Sequence, residues 1–332
     1  MQAALPLALP PVLPLALPLA LIVAGPTASG KSALALALAR RFGGTVINAD
    51  AMQVYAGMAT ITAQPSAEEQ AAVPHLLYGV RDPGEAAHLA WWREKALAAM
   101  EGLHLPILCG GTGLYLRSLT QGLSALPAVS PAARLAARSL LAERGAPALH
   151  AMLDPETAAR LRPGDSQRVA RAYEVLLSTG RGLAPWQRDA PELPAAPWRF
   201  AVLRLDPARD ELRAAIETRF DAMLAAGALE EVRHLLHHDP TLPAMRAHGV
   251  PELVALLRGE IGRQQARDQA ILHTHQYTKR QGTWFRHQSL VPTSATHTIH
   301  ARFTGRAQFS ESKSAELVSF VQRQVDDGQP RA

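Results

Sequence analysis

Eight residues near the start of the chain, Gly25-Pro26-Thr27-Ala28-Ser29-Gly30-Lys31-Ser32, fit the pattern G-x-x-x-x-G-K-[ST]. Each part of the pattern has a task in holding phosphate. Glycines let successive backbone N–H groups turn inward as an anion nest. A lysine places a point charge between phosphates, and the serine hydroxyl after it can reach a magnesium ion. A helix opening at about Ser32 adds the positive end of its dipole. The segment is therefore expected to bind a diphosphate-containing small molecule. It does not choose a reaction, because nucleotide hydrolysis, phosphoryl transfer and loss of a diphosphate leaving group all use such a cradle. No apolar strand ends in Asp-Glu, as a hydrolytic magnesium site would, and no Asn-Lys-x-Asp guanine reader is present.

Two further residues have the right type and place. Asp50 closely follows a second apolar segment, and Thr112 follows a third. In a parallel sheet, residues just beyond the strand ends gather on one side. Asp50 is then near the phosphate loop, where a carboxylate serves as general base or magnesium ligand. Thr112 is expected to donate a hydrogen bond to a phosphate or to Asp50.

The elements that must position these residues are legible in part. Ala20 to Ala24 reads as a strand and Ala33 to Phe42 as a helix, with Arg40 and Arg41 in its last turn and Gly43-Gly44 as a stop. Thr45 to Asn48 and Pro106 to Cys109 read as buried strands, with a helical run from Ala86 to Gly102 between them. This alternation predicts an α/β fold, a P-loop NTPase-like parallel sheet flanked by helices. From about Ser130 strand signals vanish, and helices are expected over 131–144, 145–153, 155–161 and 165–179, followed by a Pro-rich linker over 181–197. Strand character returns at Arg199 to Leu205, then helices at 207–226, 228–238, 250–257 and 263–287. The expected organisation is a Leu/Pro-rich disordered extension (1–18), a first part of the core (19–129), an all-helical insertion (130–195), a second part of the core ending in a basic helix (196–290), and a tail (291–332). Within that tail a short strand near 297–303 and a helix near 313–325 carry weak signals.

Composition narrows the classes. The 332 residues are 48% hydrophobic, enough for a sizeable core, and carry a formal charge of +5. That mild basic excess permits a polyanionic partner without requiring one. The single cysteine, Cys109, excludes a disulfide framework and a Cys-based zinc site. Prolines at 6, 10, 11, 14 and 18, and no Lys or Arg before Lys31, argue against a signal peptide or membrane helix at the start. Basic residues concentrate in two places. Residues 131–189 hold nine Arg against six acids; Arg258, Arg263, Arg267, Lys279, Arg280 and Arg286 face only Glu260 and Asp268 within 258–287. With Tyr277, Trp284 and Phe285 interleaved, the second run suits phosphates and stacked bases, although aromatics at helical spacing also build cores.

The set of motifs resembles the tRNA dimethylallyltransferase family. The residues that carry the likeness are the loop at 25–32, Asp50 with Gln53-Val54-Tyr55, Gly57-Met58, Pro74-His75, Arg81-Asp82-Pro83 and Gly110 to Tyr115. It continues through Asp165 to Arg171, Leu242 to Arg246 with Gly249 to Glu252, and Tyr277 to Gln281 with Thr283 to Arg286. The resemblance spans roughly residues 20 to 290. It implies transfer of a dimethylallyl group from dimethylallyl diphosphate to N6 of the adenosine 3′ of the anticodon (position 37), with diphosphate leaving from the loop. Under it, Asp50, Thr112 and Lys31 are catalytic. Gly25, Pro26, Thr27, Ala28, Ser29, Gly30, Lys31 and Ser32 hold the diphosphate, and Ser32 holds Mg2+. The tRNA anticodon stem-loop is met by Asp50, Ala51, Met52, Gln53, Thr112, Arg134, Gln167, Arg168, Val169, Ala170 and Arg171. Further contacts fall to Arg246, Ala247, His248, Gly249, Val250 and Pro251, and to Lys279, Arg280, Gln281, Gly282, Thr283, Trp284, Phe285 and Arg286. A cytoplasmic monomer with no membrane partner is expected. Three positions depart from the family pattern: Ala51 stands for Ser, Gln64 for Lys or Arg, and His275 for Arg. The last two each remove a constant cation.

Overall fold

The computed structural model of the chain describes residues 17–124, 126, 128–188, 191–304 and 311–327. Residues 1–16 of the Leu/Pro-rich extension lie outside this set. The chain opens with β1 (Leu19–Ala24), α1 (Lys31–Phe42), β2 (Thr45–Asn48), α2 (Ala59–Thr62), α3 (Ala67–Ala72) and β3 (His75–Leu76). Next come α4 (Leu89–Met100), β4 (Pro106–Gly110), α5 (Gly113–Gln121), β5 (Leu123–Ser124), α6 (Pro131–His150), α7 (Pro155–Arg160), α8 (Ser166–Thr179), α9 (Leu183–Arg188) and β6 (Pro191–Leu193). The rest is β7 (Arg199–Leu205), α10 (Arg209–Ala225), α11 (Ala228–Leu235), α12 (Val250–Leu257), α13 (Arg263–His287), β8 (Thr296–Ile299) and α14 (Glu311–Asp326). The chain forms two compact units, one from the segments up to Thr120 and from Pro197 onward, the other Gln121–Ala196.

The first unit is built on a six-stranded sheet in the order β3-β2-β4-β1-β7-β8, with every pairing parallel. β1 is central and buried along five of its six residues, as an unbroken apolar run in a parallel sheet should be. The helix after it, α1, ends where Gly43 takes a left-handed φ of 65° and donates its N–H to Ala39 O, with Arg40 and Arg41 at the negative end of the dipole. One face of α1 (Leu34, Ala35, Leu38 and Ala39) packs on Leu21, Val23, Ile107 and Leu203 of the sheet.

The segment read as a tail belongs to this core. β8 pairs with β7 from Val202↔Thr296 to Leu205↔Ile299, and Leu317, Phe320 and Val321 of α14 are buried with Phe303 against the α1 side of the sheet. The sequence signals for both are weak because β8 is four residues long with three of them polar, and α14 buries only a narrow stripe. β3 escaped notice for the same reason, being two residues long.

The second unit has its own core. Val169, Ala172, Tyr173 and Val175 of α8 pack against Ala133, Ala137 and Leu149 of α6. Ser130 caps α6 by accepting from Ala133 N, and Asp165 caps α8 by accepting from Arg168 N. The span of α6 is interrupted at Gly145, whose φ of 75° and ψ of 170° lie outside the helical region, so two helices meet where the break at 144–145 is expected. Two expectations are corrected. The stretch 181–197 is not only a linker, since it carries α9 and β6. The unit is not all-helical, since β5 and β6 pair antiparallel.

Phe320 is 5% exposed, so Phe320→Ala is expected to cost about 3 kcal/mol through lost burial and a cavity. Equilibrium urea unfolding checks this. A change within about 0.5 kcal/mol, as for a solvated tail, would contradict the packing of α14.

Candidate active site

The sheet order sets β2, β4 and β1 side by side, so the segments following their C-terminal ends meet. Ala49 N donates to Cys109 O at 2.8 Å and Thr112 N to Ala49 O at 3.2 Å, which locks the turn after β2 onto the turn after β4. The two backbones touch at Gly110, where a Cβ would lie 2.1 Å from the Ala49 carbonyl carbon. Buried Asn48 shapes the Asp50 turn. Its Oδ1 accepts from Asp50 N at 2.8 Å, and its Nδ2 donates to Asp50 O and Leu77 O, both at 3.0 Å. Asp50 Oδ1 accepts from Met52 N at 2.9 Å. Its Oδ2 has no partner among the described residues and is available to take a proton.

The phosphate loop follows β1. Gly30 is the N-cap of α1 with a φ of 92°; it offers no side-chain cap, and the first turn holds no acidic residue. The first amides of the helix are thus left for an external anion. Lys31 Nζ donates to Pro26 O at 2.8 Å. Burial lowers the Lys31 pKa to about 8, with Cys109 and Asp50 acting against the shift. Burial pushes the Cys109 thiol beside Ser32 up to about 11, so the thiol is inert. Two loop amides are engaged: Ser29 N donates to Pro26 O at 3.3 Å, and Thr27 N and Oγ1 both approach Gln281 Oε1, at 2.8 and 3.1 Å, while Gln281 Nε2 donates to Gly111 O at 3.0 Å.

A single cavity joins these groups. Thr27, Lys31, Ser32, Asp50 and Arg219 form its polar wall; Ile61, Ile216, Phe220, Met223 and Tyr277 form an apolar one. Arg219, on α10, has its pKa lowered by burial, with Asp50 opposing. Its Nη2 donates to Thr62 O at 3.4 Å. The α2 turn that brings Ile61 to the cavity is held from α11: Glu231 accepts from Thr60 N at 2.7 Å and Ile61 N at 2.8 Å. His248 lies over Tyr277, ring centroids 4.3 Å apart, and burial lowers its pKa. Two cations, one carboxylate and an apolar wall suit an alkyl diphosphate and a nucleophile that must lose a proton.

Comparison with known proteins agrees. A family model described as IPP transferase matches residues 53–288, and one described as Isopentenyl transferase matches residues 18–76. A tRNA dimethylallyltransferase of Acidiphilium cryptum (strain JF-5) is 57% identical over 305 residues, covering 90% of this chain and 94% of its own. That of Gluconobacter oxydans (strain 621H) is 55% identical over 314 residues, covering 92% and 94%. The chain belongs to the tRNA dimethylallyltransferase family. Among solved structures, the full-length tRNA isopentenylpyrophosphate transferase of Bacillus halodurans is 30% identical with a TM-score of 0.66, covering 94% of this chain and 97% of that one. A eukaryotic dimethylallyltransferase acting on tRNA, 23% identical, shares the fold at a TM-score of 0.75 over 95% of this chain and 81% of that one.

Set against the residues expected for this family, the structure sorts the side chains. Thr112 does not bond Asp50; its Oγ1 accepts from Ala51 N at 3.0 Å, fixing the turn that carries the carboxylate. Gln53 is committed to the carbonyls of Thr62 (3.0 Å) and Ala63 (2.7 Å). Gln281 is buried in the bridge just described, and Phe285, Ala247 and Val250 are core. Trp284 packs on Gly113, where a Cβ would meet its ring at 2.2 Å. Gly249 turns with a φ of 93° beside Phe220 and Ile61, and Gly282 lies against Arg286. Val169 and Ala170 are buried in the second unit, so their side chains are unavailable to RNA. Arg246, Pro251, Lys279, Arg280, Thr283 and Arg286 are exposed on the first unit; Arg134, Gln167 and Arg168 are exposed on the second, and Arg171 is half-exposed. His275 has its pKa lowered by burial, so it supplies no cation at neutral pH.

Arg219 and its apolar neighbours were missed from sequence. Ile216, Phe220 and Met223 recur at helical spacing and read as an ordinary core face.

Replacing Gln281 by Leu would leave Thr27 N and Gly111 O without their partner. The expected result is a loss of about 2–4 kcal/mol in unfolding free energy and weaker protection of the protein by inorganic diphosphate. Thermal unfolding with and without diphosphate measures both effects.

Proposed function

We propose that the chain transfers the dimethylallyl group of dimethylallyl diphosphate to N6 of adenosine 37 in tRNA, releasing diphosphate. The observation that carries this reading is the single cavity in which Asp50, the phosphate loop and an apolar wall are all exposed. The five-carbon chain lies on Ile61, Ile216, Phe220 and Met223. Lys31, Arg219 and the first amides of α1 bind the diphosphate. The bond between C1 and the bridging oxygen breaks, its electron pair leaving with the diphosphate, and the N6 lone pair of adenine bonds to C1. Asp50 Oδ2 takes the N6 proton. Thr112 holds Asp50 in place through Ala51 N. The target base must leave its stack to enter such a cavity.

Magnesium fits the donor set. Ser32 offers one oxygen at the loop, and no cluster of three or more His, Cys, Asp or Glu able to hold a metal occurs among the described residues. Mg2+ is commonly held by one or two protein oxygens, with phosphate and water completing its shell. Bound by Ser32, it would neutralise charge on the departing diphosphate.

The anticodon stem-loop is the RNA partner in this reading. The exposed cations Arg246, Lys279, Arg280 and Arg286 on the first unit, and Arg134 and Arg168 on the second, are the groups offered to its phosphates. One chain supplies every residue named, so a monomer suffices. No helix among the described residues is long and apolar enough to cross a membrane; the substrate tRNA places the reaction in the cytoplasm.

Incubation with labelled dimethylallyl diphosphate, magnesium and unmodified tRNA should move label into RNA. Asp50→Ala should lower the transfer rate about 10²–10⁴-fold while RNA binding persists. Phosphoryl transfer from ATP to a metabolite, or RNA binding with no transfer by the unaltered chain, would overturn the reading.

A further inference from the structure

The segment after β8 runs along the outer side of the phosphate loop. Phe303 N donates to Ser29 O at 3.0 Å, and the Phe303 ring is buried in the main core. Gly30 makes the approach feasible, since a Cβ there would lie 1.8 Å from Phe303 O. Next to it, Arg302 Nε donates to Ala28 O at 2.9 Å. Ala28 has a φ of 64°, left-handed for a residue with a side chain. Arg302 N donates to Glu211 Oε2 at 3.3 Å, so the segment also grips α10, the helix that carries Arg219.

The remaining guanidinium nitrogens of Arg302 have no partner among the described residues. They belong to the wall of a second cavity, shared with Ala28, Gly30, Lys31, Ser32, Gln64 and Arg219. Lys31, Ser32 and Arg219 line both cavities, so the two adjoin across the phosphate loop. Gln64 is neutral and donates to Tyr55 O at 2.8 Å. Glu69 also lines the second cavity, but its Oε2 accepts from Ser66 N at 2.8 Å in a helix cap.

We propose that Arg302 is a further diphosphate-binding residue, holding the terminal phosphate of the donor and of the released diphosphate. This rests on the donor assignment made above. The reacting carbon must sit beside Asp50 in the first cavity. The phosphate bonded to it then lies at the shared wall of Lys31 and Arg219. The terminal phosphate, farthest from the reacting carbon, extends into the second cavity, where Arg302 is the added cation. A guanidinium offers the paired donors that phosphate oxygens accept best. Arg302 stabilises the leaving group from the side away from the acceptor base.

The test is steady-state transfer by the full chain, with inhibition by inorganic diphosphate. Arg302→Ala is expected to raise the KM for dimethylallyl diphosphate and the inhibition constant of diphosphate about 10-fold or more, with the KM for an anticodon stem-loop within about twofold. Arg302→Lys, which keeps one cation, should recover part of the loss. A purely structural strap would raise both KM values together or lower kcat alone, with no recovery in the lysine variant. That pattern, or a diphosphate inhibition constant unchanged in Arg302→Ala, would overturn the proposal. If the unaltered chain is not inhibited by diphosphate at all, the donor assignment itself fails.

Discussion

The carboxamide of Gln281 ties together three parts of the chain that are far apart in sequence. Its oxygen accepts from Thr27 in the loop after β1, its nitrogen donates to Gly111 after β4, and its own helix is α13. The side chain is 4% exposed, so an unmet donor or acceptor here would carry a desolvation cost with no water to relieve it. Gly111 has no room for anything else, since a Cβ there would be 2.1 Å from Gln281 Nε2. The constraint passes onward. Gly111 precedes Thr112, Thr112 holds Ala51 N, and Ala51 follows Asp50. The loop after β1 and the Asp50 turn are therefore tied to one another by the hydrogen bonds of Thr27 N, Thr27 Oγ1, Gln281 Nε2 and Ala51 N rather than by packing alone. Gln281 was expected to meet RNA. Its position instead makes it the clamp on which the cavity's geometry depends.

How far the sequence could be read follows from how local each signal is. The loop at 25–32, β1, α1, β2 and β4 are contiguous patterns, and each is legible because a short stretch of chain contains the whole pattern. Asp50 could be placed because strand ends in a parallel sheet converge. What was not legible, or gave only a weak signal, depends on distant partners. β3 and β8 are short and exist because β2 and β7 offer edges to pair with. β6 sits in a Pro-rich stretch that reads as linker until β5 is beside it. Arg219 and Phe220 reach the cavity only because α10 presents one face to it, and a helix face does not say what it faces. Arg302 lies beyond the last motif, at the end of a segment with only a weak strand signal.

The electrostatics of the cavity follow from the same geometry. Lys31 and Arg219 are both partly stripped of water, and burial lowers the pKa of each. Asp50 is the carboxylate that opposes both shifts, so the pair lacks a full counter-charge from the protein. In the proposed reaction a diphosphate would supply it, and entry of that anion would raise the affinity of Lys31 for its proton. With the donor bound as proposed, the two cations and the α1 amides would interact more strongly with the bridging oxygen as negative charge accumulates there during bond cleavage.

That preference has a consequence for turnover. Groups that bind the leaving diphosphate better than the donor also retain it after transfer, so release competes with chemistry as the slow step. The second cavity, bounded by Gln64, Arg219 and Arg302, opens from the outer side of the same loop. On the proposed donor site, an arginine there would keep hold of the terminal phosphate after the bond to C1 breaks. The strap that carries Arg302 thus links the C-terminal strand and helix, whose signals in the sequence are weak, to the phosphate loop.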